Sequence, residues 1–364
     1  MRWWAIRAGC WLLFACRRKA GAAALQTAWA AVSYWAEAGA PKASWHREQA
    51  LLRTLRALKA LRGVGVTVQT WLVTNRYVYE ARELVDKFVV MSSPTCGAGH
   101  GHDRMCMPWE AVRSLAITSF ATTRGRLPRC WGKASNATGS DWSFDYYLYV
   151  EGDIEIPPET FAFWSTRAGD LYRRGYLLLP HRRERLQDSG GRFQREVLSD
   201  CFDRACVTNA RGRLASGADL AWPHRRGDAG EATRADGWFI SWQRPHAACW
   251  LMTCSQFRDY LRSDQWQYAT AWNPHRQGLR ELAASGLAWH PHFGLDAVVT
   301  HLKLPVYHQL PQENGWCRTG FGQRRLKQNV SDLQSLVTLC VAEGSASPLC
   351  RRLLPRRAAN ETGS

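Results

Sequence analysis

The sequence predicts an α/β fold with a mainly parallel central sheet. Three observations carry this expectation. A strand, helix, strand series runs from Ala28 to Asn75, and a strand of almost unbroken apolar and aromatic residues at Phe144–Val150 ends on two acids. Hydrophobic residues make up 46% of the 364, enough for a sizeable core and too many for a disordered chain.

The first strand is read at Ala28–Trp35, a short β-capable run. From Trp45 to Arg62 the apolar positions Leu51, Leu52, Leu55, Leu58 and Leu61 recur at helical spacing, with Arg47, Arg53, Arg56 and Arg62 between them. Gly63 and Gly65 end that helix, and Val66–Asn75, rich in β-branched residues, reads as the second strand. Ser92–Asp103 is a loop by composition; His100 and His102 within it are solvated residues unless a third ligand joins them. Pro108 opens a helix carrying Trp109, Val112, Leu115, Ala116 and Phe120. Thr123–Ser143 is polar and glycine-bearing, as a surface excursion would be.

Beyond the acidic strand, Pro157–Trp164 reads as a helix start, Gly175–Pro180 as a short strand, and 181–236 as a long basic insertion without periodicity. Order is expected again at Gly237–Trp242, Ala247–Met252, a helix near Ser255–Leu261, and Val298–Lys303. The arginine-rich segment 339–364 reads as a disordered tail. The expected organisation is therefore a leader at 1–27 and a single domain at 28–338 that includes the insertion.

A net charge of +17 favours polyanionic partners such as phosphates or acidic glycans, although base composition of the gene explains an arginine-rich chain equally well. The 12 cysteines include no pair of CxxC elements, which argues against structural zinc. Close pairs at Cys96 and Cys106, Cys201 and Cys206, Cys249 and Cys254, and Cys340 and Cys350 could close short disulfide loops. Sequons at Asn136, Asn329 and Asn360 accompany them, and the combination points to the secretory pathway, in the Golgi or ER lumen. The apolar stretch Ala8–Cys16, bracketed by basic residues, has the length of a signal-peptide core or a truncated signal-anchor, and a short buried helix is the alternative. Membrane attachment is expected only through this N-terminal segment.

The chemistry is expected at Glu151-Gly152-Asp153. In extended backbone, residues i and i+2 project to the same side, so Glu151 and Asp153 could converge on one cation while Gly152 lets a ligand approach the main chain. Carboxylates at the carboxyl end of a buried parallel strand suit Mn2+ or Mg2+, which would neutralise a departing diphosphate.

Tyr149-Val-Glu-Gly-Asp-Ile-Glu-Ile-Pro157 resembles the E/D-x-D strand of GT-A glycosyltransferases, in the variety that reads Y-x-E-D-D-I before a helix. Trp71–Asn75, Met107–Arg113, Arg280–Trp289 and Val306–Pro311 resemble further stretches of the same group in the same order. The resemblance covers about Ala28 to Asn314 and implies a Rossmann-type sheet flanked by helices, a nucleotide-sugar co-substrate and a divalent metal. It further implies that Glu151 and Asp153 address the ribose and the metal, with Asp153 the direct ligand, and that His308 completes the metal site, His301 being the substitute. Thr74 and Asn75 would bind base or ribose, and Arg113 would face the diphosphate. The departure is Gly152, where the pattern carries another acid.

Three functions compete on these grounds. One is sugar transfer from a nucleotide-diphosphate donor to a glycan or protein acceptor, with Asp236, or Glu231, as a candidate general base. The second is a GT-A-like binding protein without turnover, for which Gly152 speaks. The third is nucleic-acid binding, suggested by charge and 19 tryptophans. Most of those tryptophans lie in apolar runs, and no helix-turn-helix, RRM or zinc-finger signature appears, so nucleic acid is not an expected partner.

Overall fold

A computed structural model describes residues 25–35, 41–91, 111, 113, 115, 144–187, 193–198, 214–216, 238–241, 248–262, 297–309, 316–318 and 324–326. The leader, the loop with His100 and His102, the three sequons, the stretch Arg280–Trp289, Glu231, Asp236 and the tail lie outside the described residues.

In chain order the elements are β1 (Gln26–Tyr34), α1 (Pro41–Ala60), β2 (Val66–Thr74), β3 (Lys87–Val90), β4 (Tyr146–Glu151), β5 (Ile154–Glu155), α2 (Pro158–Ser165) and α3 (Ala168–Arg173). They continue with β6 (Tyr176–Leu178), β7 (His181–Gln187), β8 (Phe193–Leu198), β9 (Leu214–Ser216), β10 (Trp238–Ser241), β11 (Cys249–Thr253) and α4 (Cys254–Arg262). The last are β12 (Ala297–His301), β13 (Pro305–His308), β14 (Trp316–Arg318) and β15 (Arg324–Leu326). None of the described helices is long and apolar enough to cross a membrane.

The central sheet has the order β11-β4-β1-β2-β3. Strands β3, β2, β1 and β4 are parallel and β11 is antiparallel at the edge, so the chain is an α/β protein with a mainly parallel central sheet. The two strands expected to lie close together, β2 and β4, flank β1 on either side. Strand β1 begins at Gln26, so the boundary expected at 27/28 falls inside it.

Alternation along β1 explains the two-sided burial. Ala28, Ala30, Val32 and Tyr34 face one core with Leu51, Leu52, Leu55 and Leu58 of α1. Trp29 and Ala31 face the other, with Trp71, Tyr147, Tyr149, Trp250 and the Phe257 and Tyr260 side chains of α4. Each large apolar side chain so buried contributes roughly 1.5–3 kcal/mol. Helix α1 closes through a 3-10 turn at Leu61–Val64, and Gly65 at φ +83° supplies the left-handed residue that redirects the chain into β2.

Two further four-stranded sheets, in the orders β6-β12-β10-β9 and β5-β13-β7-β8, are not part of the sequence expectation. They correct the reading of 181–236 as an aperiodic insertion, because β7 and β8 form an antiparallel pair within it. The basic run concealed this. His181, Arg183 and Glu184 are all buried, and polar partners rather than apolar alternation satisfy them.

Candidate functional site

The register places Ser33 opposite Glu151 and Tyr34 opposite Thr74, at the carboxyl ends of three adjacent parallel strands. The chain proceeds from β1 outward to β3, then returns to add β4 on the other side of β1, so the strand order reverses between β1 and β4. Crevices at such reversals are where open α/β sheets bind ligands.

At that point β4 stops. Residues 152 and 153 form a turn between β4 and β5. The Gly152 N–H donates to the Ser33 carbonyl at 2.8 Å, and its own carbonyl accepts the Thr54 hydroxyl of α1 at 3.2 Å. A Cβ on residue 152 would lie 3.1 Å from the Ser33 carbonyl oxygen, 3.1 Å from Tyr34 Cδ2 and 3.3 Å from Leu51 Cδ1. Glycine suits this point because the protein itself closes on its main chain. This corrects the expectation of a ligand passing over Gly152. The position is buried beneath α1, so any side chain there would press on Ser33, Tyr34 and Leu51.

The turn overturns a second expectation, that extended backbone projects Glu151 and Asp153 to one side. The Glu151 carboxylate accepts the Tyr149 hydroxyl at 3.5 Å, and that hydroxyl lies 3.1 Å from Ser33 Oγ. Asp153, past the turn, faces a different group. Its Oδ2 lies 3.3 Å from Nε2 of His308.

His308 reaches Asp153 through strand pairing. β5 pairs antiparallel with β13, setting Ile154 opposite His308, and the Gln309 N–H donates to the Asp153 carbonyl at 2.7 Å. β7 pairs with β13 on its other side and sets Glu184 opposite His308. The Glu184 carboxylate, 1% exposed, lies 3.4 Å from His308 Nδ1. One imidazole thus stands between two carboxylates.

The electrostatics follow from this arrangement. Burial opposes ionisation of Asp153, but the hydrogen bond and charge of His308, aided by Arg182, hold its carboxyl below the ordinary value. Burial likewise opposes charge on His308, yet the carboxylates of Asp153 and Glu184 on either side of it prevail and raise its pKa, against a smaller opposing effect from Arg182.

Gln309 extends the cluster. Its side-chain amide donates to Glu155, and Arg53 of α1 donates to its Oε1 at 2.7 Å. The helix that covers Gly152 is therefore also tied to the strand end that carries His308.

The other expected residues are placed elsewhere. Thr74 is fully buried at the end of β2, where its Oγ1 accepts the Arg76 N–H at 3.4 Å; Asn75 is half-buried beside it. Arg113 is half-buried in helical backbone with Ala111 and Leu115. His301 is a core histidine on β12: Phe163 stacks on it at 4.6 Å, and its Nδ1 accepts the Lys303 N–H at 3.0 Å. Among the expected site residues, the structure brings together Asp153 and His308. Sequence reasoning missed Glu184, Gln309, Arg53 and Arg182. No local signal marks the first, which is one charged residue in a basic stretch.

The proposed Cys249–Cys254 loop does not form. Cys249 is a buried thiol, and Cys254 is disulfide-bonded to another cysteine. The intervening residues are strand β11, and about 3.3 Å of rise per residue carries the two well beyond the roughly 7 Å that a disulfide spans.

No protein-family model and no curated protein sequence matches the chain. Among solved structures it is similar to S. aureus TarS at 8% identity and TM-score 0.31, covering 90% of this chain and spanning 41% of that one. It is similar to galactosyltransferase LgtC in complex with donor and acceptor sugar analogs, at 9% identity and TM-score 0.32, covering 86% and 95%. An active-site mutant of LgtC aligns at 9% identity and TM-score 0.29, covering 76% and 72%. At these TM-scores the likenesses carry no argument, and the fold assignment rests on the strand register above.

One carboxylate oxygen and one imidazole nitrogen facing each other suit a divalent cation of the Mn2+ or Mg2+ kind. Among the described residues, no group of three or more His, Cys, Asp or Glu side chains is disposed to hold a metal alone. Asp153 and His308 could supply two ligands to such a cation, and the others would have to come from outside the described residues.

Proposed function

We propose that the chain is a GT-A type glycosyltransferase that uses a nucleotide-diphosphate sugar as donor and a glycan or protein as acceptor. The observation that carries the reading is the meeting of Asp153 with His308 at the carboxyl edge of a mainly parallel sheet, where its strand order reverses. Asp153 and His308 would hold the divalent metal. When bound, that metal supplies charge to stabilise a departing diphosphate.

The remaining roles belong to the chain. Glu151, level with Ser33 at the reversal point, would address the donor's ribose, with its carboxylate held by the Ser33–Tyr149–Glu151 hydrogen bonds. Arg182, whose charge acts on both Asp153 and His308, adds positive potential beside the metal and its anionic ligand. Sugar transfer needs a base near the acceptor hydroxyl when it inverts configuration, and Asp236 is the candidate from sequence. Action in the Golgi or ER lumen accords with the sequons and with the disulfide at Cys254.

The alternative, a GT-A-like binding protein without turnover, drew on the glycine at position 152. Packing accounts for that glycine, which therefore does not itself favour the binding protein. The deciding experiment is Mn2+-dependent hydrolysis across a panel of nucleotide sugars. Turnover of one donor supports the transferase. Metal-dependent binding without turnover favours the binding protein, and tight oligonucleotide binding in place of either would sink both.

A further inference from the structure

We propose that the exposed side of α1 is a docking surface for an acidic glycan, carboxylated or sulfated, and that such a glycan is the acceptor class, an inference that rests on the transferase reading above. α1 carries five Lys or Arg residues and a single acid, Glu48, which is already paired with Arg76 at 2.8 Å. Arg53, Arg56 and Lys59 follow one another at intervals of three, and Arg62 continues the row on the 3-10 turn. All four are exposed. Positions three apart are neighbours on a helix surface, and like charges so placed destabilise it. The helix dipole offsets this for Lys59 and Arg62 near the C-terminal end, but not for Arg53 and Arg56 further back.

Partners within the protein answer only half of the row. Lys59 lies 3.7 Å from Asp86, and Arg53 donates to Gln309 at 2.7 Å. Arg56 and Arg62 have no acidic partner among the described residues. The Arg53 contact also sets where the row leads. The Gln309 N–H donates to the Asp153 carbonyl, so one end of the row reaches the residues beside the Asp153–His308 pair and the other lies about 14 Å away along the helix. A linear polyanion laid along the row therefore has one end at the candidate site. Three kinds of polyanion compete for such a surface. A bilayer is disfavoured because α1 spends its apolar side, Leu51, Leu52, Leu55 and Leu58, on the protein core and has none to insert. Nucleic acid is disfavoured because Ala57 and Ala60, not aromatic rings, lie between the cations. An acidic glycan needs neither, and guanidinium groups match its carboxylates or sulfates two bonds at a time.

The test measures binding of the full chain, by calorimetry at several salt concentrations, to a polyuronate, a sulfated and a neutral hexasaccharide. At least one acidic probe should bind and the neutral one should not, with log K falling as log salt rises; the tighter acidic probe tells carboxylate from sulfate. Arg56→Ala with Arg62→Ala should weaken that binding about 10-fold and flatten the salt slope, whereas Lys at both positions should retain most of it. Arg82→Ala with Arg173→Ala, which removes two exposed cations elsewhere, should leave binding unchanged. All four positions are exposed, so the variants should melt with the wild type. Equal losses in the two Ala pairs would reduce the effect to net charge and overturn the proposal, as would tighter binding to an oligonucleotide of equal charge or to phosphatidylserine vesicles. Donor hydrolysis by a wild type that binds neither acidic probe would overturn it and leave the transferase standing. Acidic-glycan binding by a wild type that hydrolyses no donor would keep the docking surface and remove both the transferase and the acceptor role.

Discussion

Leu51 of α1 stands over Gly152, its Cδ1 only 3.3 Å from where a Cβ would sit, while the Ser33 carbonyl closes on the same point from β1 at 3.1 Å. One of these neighbours is a flexible side-chain end and the other is backbone within the sheet. Gly152→Ala should therefore destabilise the fold by about 1–3 kcal/mol, the cost of overpacking. Gly152→Asp should cost more because it buries a charge as well. Denaturant titration reads both, and an Asp variant of wild-type stability would disprove the packing account.

Asp153→Asn should lower the transfer rate about 10²- to 10³-fold, the usual loss of one electrostatic contact to developing charge. Metal-dependent nucleotide binding should be lost with it, and the thermal midpoint should fall only by the share that pairing with His308 contributes. Glu155→Gln is the control. Glu155 accepts the Gln309 amide, and a glutamine oxygen can accept it too, so the effect should stay within about 1 kcal/mol. Steady-state rates on the preferred donor compare the two; equal losses would show a diffuse acidic field in place of a ligand.

The Asp153–His308 pair gives the metal-free protein a distinct pH profile. With its folded-state pKa raised above the ordinary 6.5, His308 contributes stability that is fully present below that value and is lost as pH rises through the folded value. Asp153, held below the ordinary 3.8, contributes above that value and loses its share as pH falls through its own folded pKa. The pair is thus at full strength between these ordinary values and weakens on the alkaline side. Thermal melts of wild type and His308→Gln should diverge most between the ordinary values of 3.8 and 6.5 and converge as pH rises through the folded His308 value. Parallel curves would mean that the pair contributes nothing.

Arg183 probes whether the basic segment after 181 is structural. Its side chain is 7% exposed, pairs with Glu196, donates to His181 and reaches the Leu302 carbonyl at 2.6 Å. Arg183→Ala leaves these partners without it and should cost about 3–5 kcal/mol. Unchanged stability in a chemical melt would return the segment to the status of a loop.

The sheet was legible because its signals are local. β1, α1, β2 and β4 each announce themselves by periodicity within their own residues, and the acids at the end of β4 stand out against an apolar run. The site was legible only in part because it is assembled by pairing across distance. His308 drew notice through a family resemblance. Glu184 is one charged residue in a basic stretch, and nothing local marks it as buried until β13 is set beside β7. Gly152 was read correctly as a point of close approach, but what approaches it comes from β1 and α1, which a triplet cannot show.

The strand end at Gln309 also fixes when the site can exist. Gln309 and Glu155 are 154 residues apart in sequence yet in contact. Synthesis at roughly 5–20 residues per second separates their emergence from the ribosome by on the order of 10 s. Throughout that interval Asp153 and the edge of β5 are made and their partner strand is not, so the nascent chain must wait with an open edge. Contacts of such separation form late and slowly. The Asp153–His308 pair is accordingly among the last parts of the described fold to be completed, and truncation before residue 305 would leave a sheet without it.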